Sequence, residues 1–363
     1  MKIAVFGGAG DMGSEAVRDL VKSSAVKSVV IADYNERGAE RLVKEVGGKA
    51  VAKFVDANHR QQLVEIMKGA DAALSCLGPF YKYEELMVRA AIEARVNYVS
   101  ISDDFDAAEA VLALDKDVRK AAITVLTGMG WTPGMSNVIA RRGIDRMDKA
   151  TRVHIAWAGS ADDSKGLAVI KHTLHIFTGK VPTFSGGKWM KVTAGSGKEM
   201  VEFPEPIGKI PVYHLGHPEP VTIPHFISGL EEVTLKGSVL PLWLNKVSTT
   251  LARARLTDTA RKRDMVSNFV HRAMPIMGRG GKGISGLRVD VHGEKKGKEV
   301  HYSYAAVDNM GRLTGIPASI GTIMMGSGKI KRKGVVVPEI VIDPEEFIAE
   351  LKSRKITVHI NEK

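Results

Sequence analysis

The sequence predicts an α/β protein: a doubly wound parallel sheet followed by an inserted α+β domain whose sheet is mostly antiparallel. Three observations carry that reading. Through the first third, short apolar runs alternate with stretches of helical periodicity. Directly behind the first apolar run, Ile3-Ala4-Val5-Phe6, stands a glycine-rich turn, Gly8-Ala9-Gly10-Asp11-Met12-Gly13. After Gly128-Met129-Gly130-Trp131-Thr132-Pro133-Gly134 the pattern changes to period-two strands joined by turns.

Taken in order, the first domain (residues 1–134) has strands at 2–6, 27–32, 51–55, 71–76, 97–101 and 122–126. Each is a Val-, Ile- or Ala-rich run of the kind that is buried on both faces of a parallel sheet. Helices at 11–22, 37–46, 59–67, 83–94 and 105–120 separate them, giving the crossovers that parallel strands require. Six strands so connected make a full Rossmann domain. In the second domain (residues 135–310), strands are expected at 152–158, 209–214, 231–236, 287–292 and 300–307 and helices at 167–178, 241–255 and 259–277. The run Gly293-Glu294-Lys295-Lys296-Gly297 reads as a hairpin loop. Residues 311–363 form a C-terminal segment expected to return to the first domain. Its helix opens at Gly311-Arg312-Leu313-Thr314-Gly315-Ile316-Pro317, with Pro317 tolerated as a first-turn residue. Asp343 then caps a helix beginning Pro344-Glu345-Glu346, ahead of a strand at 356–360.

A length of 363 residues implies two domains, and 44% hydrophobic with 26% charged residues is the balance of a globular chain. No apolar window is long enough to span a membrane, and the first residues enter a strand without a charged and apolar leader, so a cytoplasmic location is expected. The single cysteine, Cys76, excludes an internal disulfide framework and multi-cysteine zinc sites; at an apolar strand end it reads as a small hydrophobe. The net charge of +11 is spread along the chain, and its local concentrations at 253–263, 279–298 and 329–333 lack interleaved aromatics. Solvated faces that attract anionic ligands account for it, and no nucleic-acid partner is expected.

The glycine turn has the spacing of a dinucleotide fingerprint. Gly8 is assigned to the tight turn, Gly10 to close approach of the pyrophosphate and Gly13 to helix–strand packing, while Ala9, Asp11 and Met12 complete the phosphate-facing loop. Asp33, ending Val29-Val30-Ile31-Ala32, can accept both ribose hydroxyls and repel a 2′-phosphate. That favours NAD; Arg37 leaves room for NADP, though a helix-surface arginine is the plainer reading. Asp56 and Ala57, after the third strand, are placed at the adenine edge, with helix capping as the alternative for Asp56. Ser75, Leu77, Gly78, Pro79 and Phe80 leave the fourth strand beside the first, where an open parallel sheet holds its ligand. An ordinary turn is the competing reading there.

Asp103 and Asp104 leave the fifth strand at the same edge; one carboxylate can meet a substrate ammonium while the other caps the next helix. In the second domain, Tyr213-His214-Leu215-Gly216-His217-Pro218-Glu219-Pro220 clusters two histidines and a carboxylate in a loop. His217 or Glu219 suits proton exchange, against the plainer reading of structural histidines. Neither this cluster nor His172 and His175 has metal-ligand spacing, and no metal is expected.

The motifs at 8–13, 77–80, 98–104, Gly130-Trp131-Thr132-Pro133-Gly134-Met135-Ser136-Asn137, His217-Pro218-Glu219-Pro220 and Leu313-Thr314-Gly315-Ile316-Pro317-Ala318 together resemble the saccharopine dehydrogenase family, especially its short lysine 6-dehydrogenase-like members. The resemblance spans nearly the whole chain in family order. It implies a Rossmann domain completed by the C-terminal tail, an inserted domain carrying substrate and dimer contacts, hence a homodimer, and pyridine-nucleotide chemistry at a carbon–nitrogen bond. Where the family has glycine-glutamate after the tyrosine of the fifth strand, this chain has Asp103-Asp104.

The expected activity is NAD(P)-dependent oxidation of a small amine or amino acid through an imine. Asp104 is expected to be the ammonium partner, His217 or Glu219 the proton exchanger and Trp131 an apolar wall, with Asp103, Tyr213 and His214 on the substrate side. A saccharopine-type reaction on a larger two-carboxylate substrate is the first rival. A non-catalytic nucleotide sensor is the second.

Overall fold

Ile3, Ala4, Val5 and Phe6 are all 1% exposed or less because their strand lies near the middle of a parallel sheet covered on both faces. The computed structural model describes residues 1–163, 166–273 and 283–362. The elements run β1 (Lys2–Phe6), α1 (Asp11–Leu20), β2 (Ser28–Asp33), α2 (Glu36–Val46), β3 (Ala50–Phe54), α3 (Arg60–Met67), β4 (Ala72–Ser75), α4 (Phe80–Ala94), β5 (Asn97–Ser100), α5 (Phe105–Ala113), α6 (Asp115–Lys120) and β6 (Thr124–Leu126). They continue with α7 (Met135–Asp145), β7 (Lys149–Ser160), α8 (Leu167–Ile176), β8 (Lys180–Ser185), β9 (Lys188–Thr193), β10 (Glu199–Phe203), β11 (Gly208–His214), α9 (Glu219–Phe226), β12 (Glu232–Leu240), α10 (Trp243–Arg253), α11 (Ala260–Ala273), β13 (Ser285–Lys295) and β14 (Lys298–Asp308). The chain ends with α12 (Met310–Gly326), β15 (Gly334–Val336), α13 (Pro338–Val341), α14 (Pro344–Ser353) and β16 (His359–Glu362).

Two units result, Met1–Met135 with Gly311–Asp343, and Ser136–Met310 with Pro344–Lys363. The first holds a sheet in the order β15-β6-β5-β4-β1-β2-β3. Its strands are all parallel. The order reverses at β1, whose neighbours are β2 and β4, so the switch point lies over the carboxyl ends of β1 and β4. Leu63, Met67, Met87, Val88, Tyr98 and Val111 belong to the core on one side of this sheet. The seventh strand, β15, was not expected: its three residues follow a basic run and precede Pro338, too little pattern to read.

Two helical expectations in this unit are corrected. The expected helix at 105–120 is two helices, α5 and α6, because the chain turns at Leu114 and places Asp115 against β15, where its carboxylate accepts the Val335 N–H at 2.8 Å. Pro317 is not a first-turn residue, since α12 begins at Met310. The helix carries it because nearly every side is buried, and at Gly315 its backbone lies directly on α1: a Cβ there would come within 2.7 Å of the Met12 carbonyl oxygen.

The second unit's sheet runs β10-β11-β12-β7-β13-β14-β16, with β8 and β9 attached to β12. β7 and β12 pair in parallel and the remaining described pairs are antiparallel. Along β7 the alternate residues Val153, Ile155 and Trp157 are buried. The hairpin loop expected at 293–297 shrinks to Lys296-Gly297, both at positive φ (52° and 72°), the conformation a two-residue hairpin turn demands. The stretch 213–220 read as a loop ends inside α9, whose Pro220 and Pro224 break its helical pattern. Residues 274–277 of the expected helix at 259–277 lie outside the described residues. The return of 311–363 to the first domain is also corrected: from Pro344 onward the chain joins the second unit, where β16 pairs antiparallel with β14 and the Tyr304 hydroxyl donates to Glu362 Oε1 at 2.7 Å.

Candidate functional site

α1 begins behind Gly10, which holds the N-cap position without a side-chain cap bond. Its first-turn N–H groups and the positive end of its dipole therefore face the carboxyl edge of the sheet, the arrangement that receives a phosphate. Only glycine fits at Gly13, where a Cβ would stand 2.2 Å from the Gly7 carbonyl oxygen. The turn itself is made by Gly7, missed in the sequence reading, and not by Gly8: Gly7 has φ +70° and a Cβ there would lie 2.7 Å from the Cys76 carbonyl oxygen. Asp33, half-buried at the end of β2, accepts the Ala9 N–H through Oδ2 at 2.9 Å and the Asn35 N–H through Oδ1 at 2.8 Å. It thereby ties the glycine turn to β2. Asp11 is the acidic residue of the first turn and is exposed, Met12 is half-buried.

Beyond β2 and β3, the exposed rings of Tyr34 and Phe54 stand 5.5 Å apart, an aromatic pair the sequence reading passed over. Asp56 does not cap α3, whose cap position is His59. Its Oδ1 accepts the Asn58 backbone N–H at 2.9 Å and the Asn58 side-chain amide at 2.8 Å, and these bonds hold its carboxyl below the ordinary range. Ala57 beside it is buried. At the end of β4, buried Ser75 accepts the Leu77 N–H at 3.4 Å, Gly78 leads to Pro79 in the cap position of α4, and Phe80 is the first, buried residue of that helix. Burial, followed by the charge of Asp33, pushes the Cys76 thiol up to about 12.

At the exit of β5, Ser102 is 1% exposed, Asp103 half-buried and Asp104 wholly buried. The Ser102 hydroxyl meets no hydrogen-bond partner among the described residues. Asp104 occupies the cap position of α5 but makes no side-chain cap bond; its Oδ2 accepts the Tyr81 N–H of α4 at 2.8 Å. Trp131 is 6% exposed in a loop closed by the Gly130 N–H donating to the Pro133 carbonyl at 2.9 Å. Glu84 was missed altogether. It is wholly buried on α4, where it shares a face with Phe80, Met87, Val88 and Ala91; a charged residue on an apolar helical stripe was the signal available. Its Oε2 accepts the Tyr98 hydroxyl at 2.9 Å, and its Oε1 accepts the Ser100 hydroxyl at 2.5 Å and the Thr127 hydroxyl at 3.5 Å. Burial raises this carboxyl to about 7 against those hydrogen bonds, and the charge of Asp104 adds to the rise.

In the second unit, the expected loop cluster divides. His214 ends β11, half-buried, with burial and then Lys236 lowering its proton affinity. Tyr213 precedes it, also half-buried. His217 instead joins a buried group: its ring lies 5.6 Å from that of Trp157 on β7 and 5.4 Å, edge-on, from that of His172 on α8. Its Nδ1 is 3.9 Å from Glu219 Oε2, and Glu219 Oε1 accepts the Ser136 hydroxyl at 2.8 Å. The neighbouring Asn137 amide donates to the Thr222 hydroxyl at 3.3 Å. Trp157 was not singled out, His172 was weighed only as a metal ligand and Ser136 only within the 130–137 motif, since only the fold brings them to His217 and Glu219. Trp157 can lie there because Gly237 on the paired strand leaves space: a Cβ at Gly237 would be 2.2 Å from the indole.

Among the described residues, no helix is long and apolar enough to cross a membrane. Residues 3–126 match the model of the saccharopine dehydrogenase NADP-binding domain and residues 130–356 that of the saccharopine dehydrogenase C-terminal domain. A carboxyaminopropylagmatine dehydrogenase of Synechocystis is 21% identical over 97% of this chain and 96% of its own. In fold, the chain is similar to a saccharopine dehydrogenase (L-Glu forming) of Saccharomyces cerevisiae, with a TM-score of 0.72, 16% identity and coverage of 100% and 99% of the two chains. It is also similar to a homospermidine synthase of Legionella pneumophila in complex with NAD, with a TM-score of 0.64, 12% identity and coverage of 99% and 91%. With both domain models matched in order over a glycine turn, a doubly wound sheet and a mixed second sheet, the chain belongs to the saccharopine dehydrogenase family of NAD(P)-dependent oxidoreductases.

Proposed function

We propose that this oxidoreductase acts on a carbon–nitrogen bond of a small amine or amino acid, in a deamination of the lysine 6-dehydrogenase type. The observation that carries the reading is Asp104, a wholly buried carboxylate beyond the carboxyl end of β5, on the ligand edge of the sheet. A carboxylate in that setting suits an ammonium group. The residues present fit a dinucleotide: the uncapped start of α1, the backbone approach at Gly10, the close packing at Gly13, Asp33 for the ribose hydroxyls and the Ser102 hydroxyl near the sheet edge, without a partner among the described residues. NAD or NADP, when bound, supplies the hydride acceptor. Tyr34 and Phe54 offer their exposed rings to the adenine side, with Asp56 and Ala57 close in sequence to β3, and Ser75, Leu77, Gly78, Pro79 and Phe80 border the nicotinamide side.

The protein's own part is orientation and proton management. Asp104 binds the substrate ammonium and Trp131 walls the apolar part of the substrate. His217, steadied by Trp157 and His172 and with Glu219 at 3.9 Å, takes or returns the proton that leaves nitrogen as the imine forms and water opens it. Asp103 in the first unit, and Tyr213 and His214 in the second, are the further residues this reading assigns to the substrate. A second reading, in which the nitrogen joins two substrate halves as in a saccharopine, is favoured by the name of the Synechocystis relative, which denotes a substituted agmatine.

The test is nicotinamide absorbance with purified protein, NAD or NADP, and a panel of diamino acids, opines and polyamines, with Asp104→Asn alongside. Turnover of a lysine-like amine that disappears in the variant, with cofactor affinity retained, is the expected result. Turnover of opines alone selects the second reading; cofactor binding with no turnover of any kind overturns both. A homodimer is expected by sedimentation.

A further inference from the structure

We infer that the second unit carries a binding site for one zinc-like divalent metal ion, formed by His154 on β7, His292 on β13 and His301 on β14, with Asp290 as the fourth ligand. Strand register dictates the grouping. His154 stands opposite Asp290 across the β7–β13 pair, and His292 stands opposite His301 across the β13–β14 hairpin. Residues 290 and 292, two apart on one strand, project to the same face, so the four side chains form a quartet over three neighbouring strands. The His292 ring lies 5.4 Å from that of His154 and 4.2 Å from that of His301, and His301 Nε2 is 2.7 Å from Asp290 Oδ1. Trp157, which packs on His217, projects from the opposite face of β7. The quartet is therefore separate from the group proposed to exchange protons.

The four residues line a cleft of about 260 Å³ that also contains Lys236 and Arg288. Both cations are already matched: Arg288 donates to Asp290 Oδ2 at 2.8 Å through Nε and to Oδ1 at 2.9 Å through Nη2, and Lys236 donates to Glu199 at 2.5 Å. An anion would have to break those pairs, whereas a metal ion needs imidazole lone pairs. His154 Nε2 is buried and makes no hydrogen bond among the described residues, although Glu232 Oε1 lies 3.2 Å away. A purely structural histidine would have that nitrogen satisfied. Imidazole suits zinc, copper and nickel, while all-oxygen sites suit magnesium and calcium. Asp290 and Glu232 supply two negative charges against the two positive charges of the ion. The ion replaces the hydrogen bond between His301 and Asp290, the ring then carrying its proton on Nδ1, and Arg288 keeps its hold on the carboxylate from outside. The rings of His292 and His301 are stacked 2° from parallel, so binding requires one of them to turn about its broad terminal torsion.

The test is metal titration of the whole, untagged protein after stripping with a chelator. Zn²⁺ is followed by calorimetry and by hydrogen exchange, and Co²⁺ by its visible spectrum. One Zn²⁺ per chain is expected, with the largest slowing of exchange in β7, β13 and β14, and Co²⁺ should show the intense visible band of a four-coordinate ion. His154→Ala and His292→Ala should each weaken Zn²⁺ binding by about 100-fold and remove the Co²⁺ band. His225→Ala, at an exposed position of α9, should change neither. Wild-type affinity in both cluster variants, slowing of exchange centred elsewhere, or no stoichiometric Zn²⁺ at all overturns the assignment. Exchange on the wild-type chain decides the question even where a variant fails to fold. None of these readouts uses substrate, so their failure and the failure of the proposed deamination are separate results.

Discussion

Glu84 in the first unit and Glu219 in the second are both wholly buried acids, yet they are surrounded differently. Around Glu84 stand hydroxyls from Tyr98, Ser100 and Thr127, donors that do not titrate near neutrality. Glu219 accepts the Ser136 hydroxyl at 2.8 Å and has the imidazole of His217 at 3.9 Å. Neutral donors let a carboxyl keep or lose a proton without passing it on; an imidazole gives that proton somewhere to go. Burial alone therefore does not define a role: the neighbours suit Glu84 to keeping a proton and, under the proposed function, suit Glu219 and His217 to exchanging one.

The sharpest way to break this contrast is at the second unit. His217→Gln and Glu219→Gln should each lower kcat by about 100- to 1,000-fold while leaving cofactor affinity unchanged, as loss of a general acid–base does. If both variants turn over at the wild-type rate, the buried histidine is structural. The next effect belongs to Glu84 and is one of stability. Its folded-state carboxyl is raised from 4.5 to about 7, so its contribution is fully present below about pH 4.5 and is lost as pH rises through about 7. The loss is on the order of 3 kcal/mol. Urea unfolding at pH about 5 and about 8 should show wild-type stability falling more than that of Glu84→Gln; parallel falls would mean the carboxyl is not raised.

A third acid, at the carboxyl end of β2, provides a control. Asp33 is half-buried and bonded to backbone N–H groups, and its proposed work is repulsion of a 2′-phosphate, not proton handling. Asp33→Ser should raise the NADP-to-NAD affinity ratio by about 10- to 100-fold, read by fluorescence titration, with no change in the pH profile. The smallest effect is at Cys76. With its thiol pushed up to about 12, alkylation at pH 8 should be far slower than for a free cysteine, and Cys76→Ser should leave turnover intact. Rapid labelling would contradict the burial that raises it.

The first unit was legible wherever one short segment holds the whole constraint. Gly10, Gly13 and Asp33 are readable because a strand, a turn and a strand end specify them within 33 residues of sequence. Even there, the turn-making glycine proved to be Gly7, since only backbone geometry tells which of two adjacent glycines adopts positive φ. The second unit was less readable because its buried group is assembled from Ser136, Trp157, His172, His217 and Glu219, residues whose proximity depends on the β7–β12 pairing. His214 and His217, three residues apart, looked like one cluster until the chain turned between them. Glu84 lay in plain sight on an apolar stripe, but its hydroxyl partners come from β5 and from beyond β6.

The pairing of β15 with β6 and of β16 with β14 bears on how the molecule is made. As the chain leaves the ribosome, the first sheet still lacks its edge strand when residue 135 emerges, and it waits through the whole of the second unit for residues 334–336. The second sheet waits longer still, for residues 359–362. A nascent chain halted before residue 334 thus carries two unfinished sheet edges and one halted between 337 and 358 still carries one, each a template for mispairing, so truncation before residue 359 should cost yield far more than its length suggests.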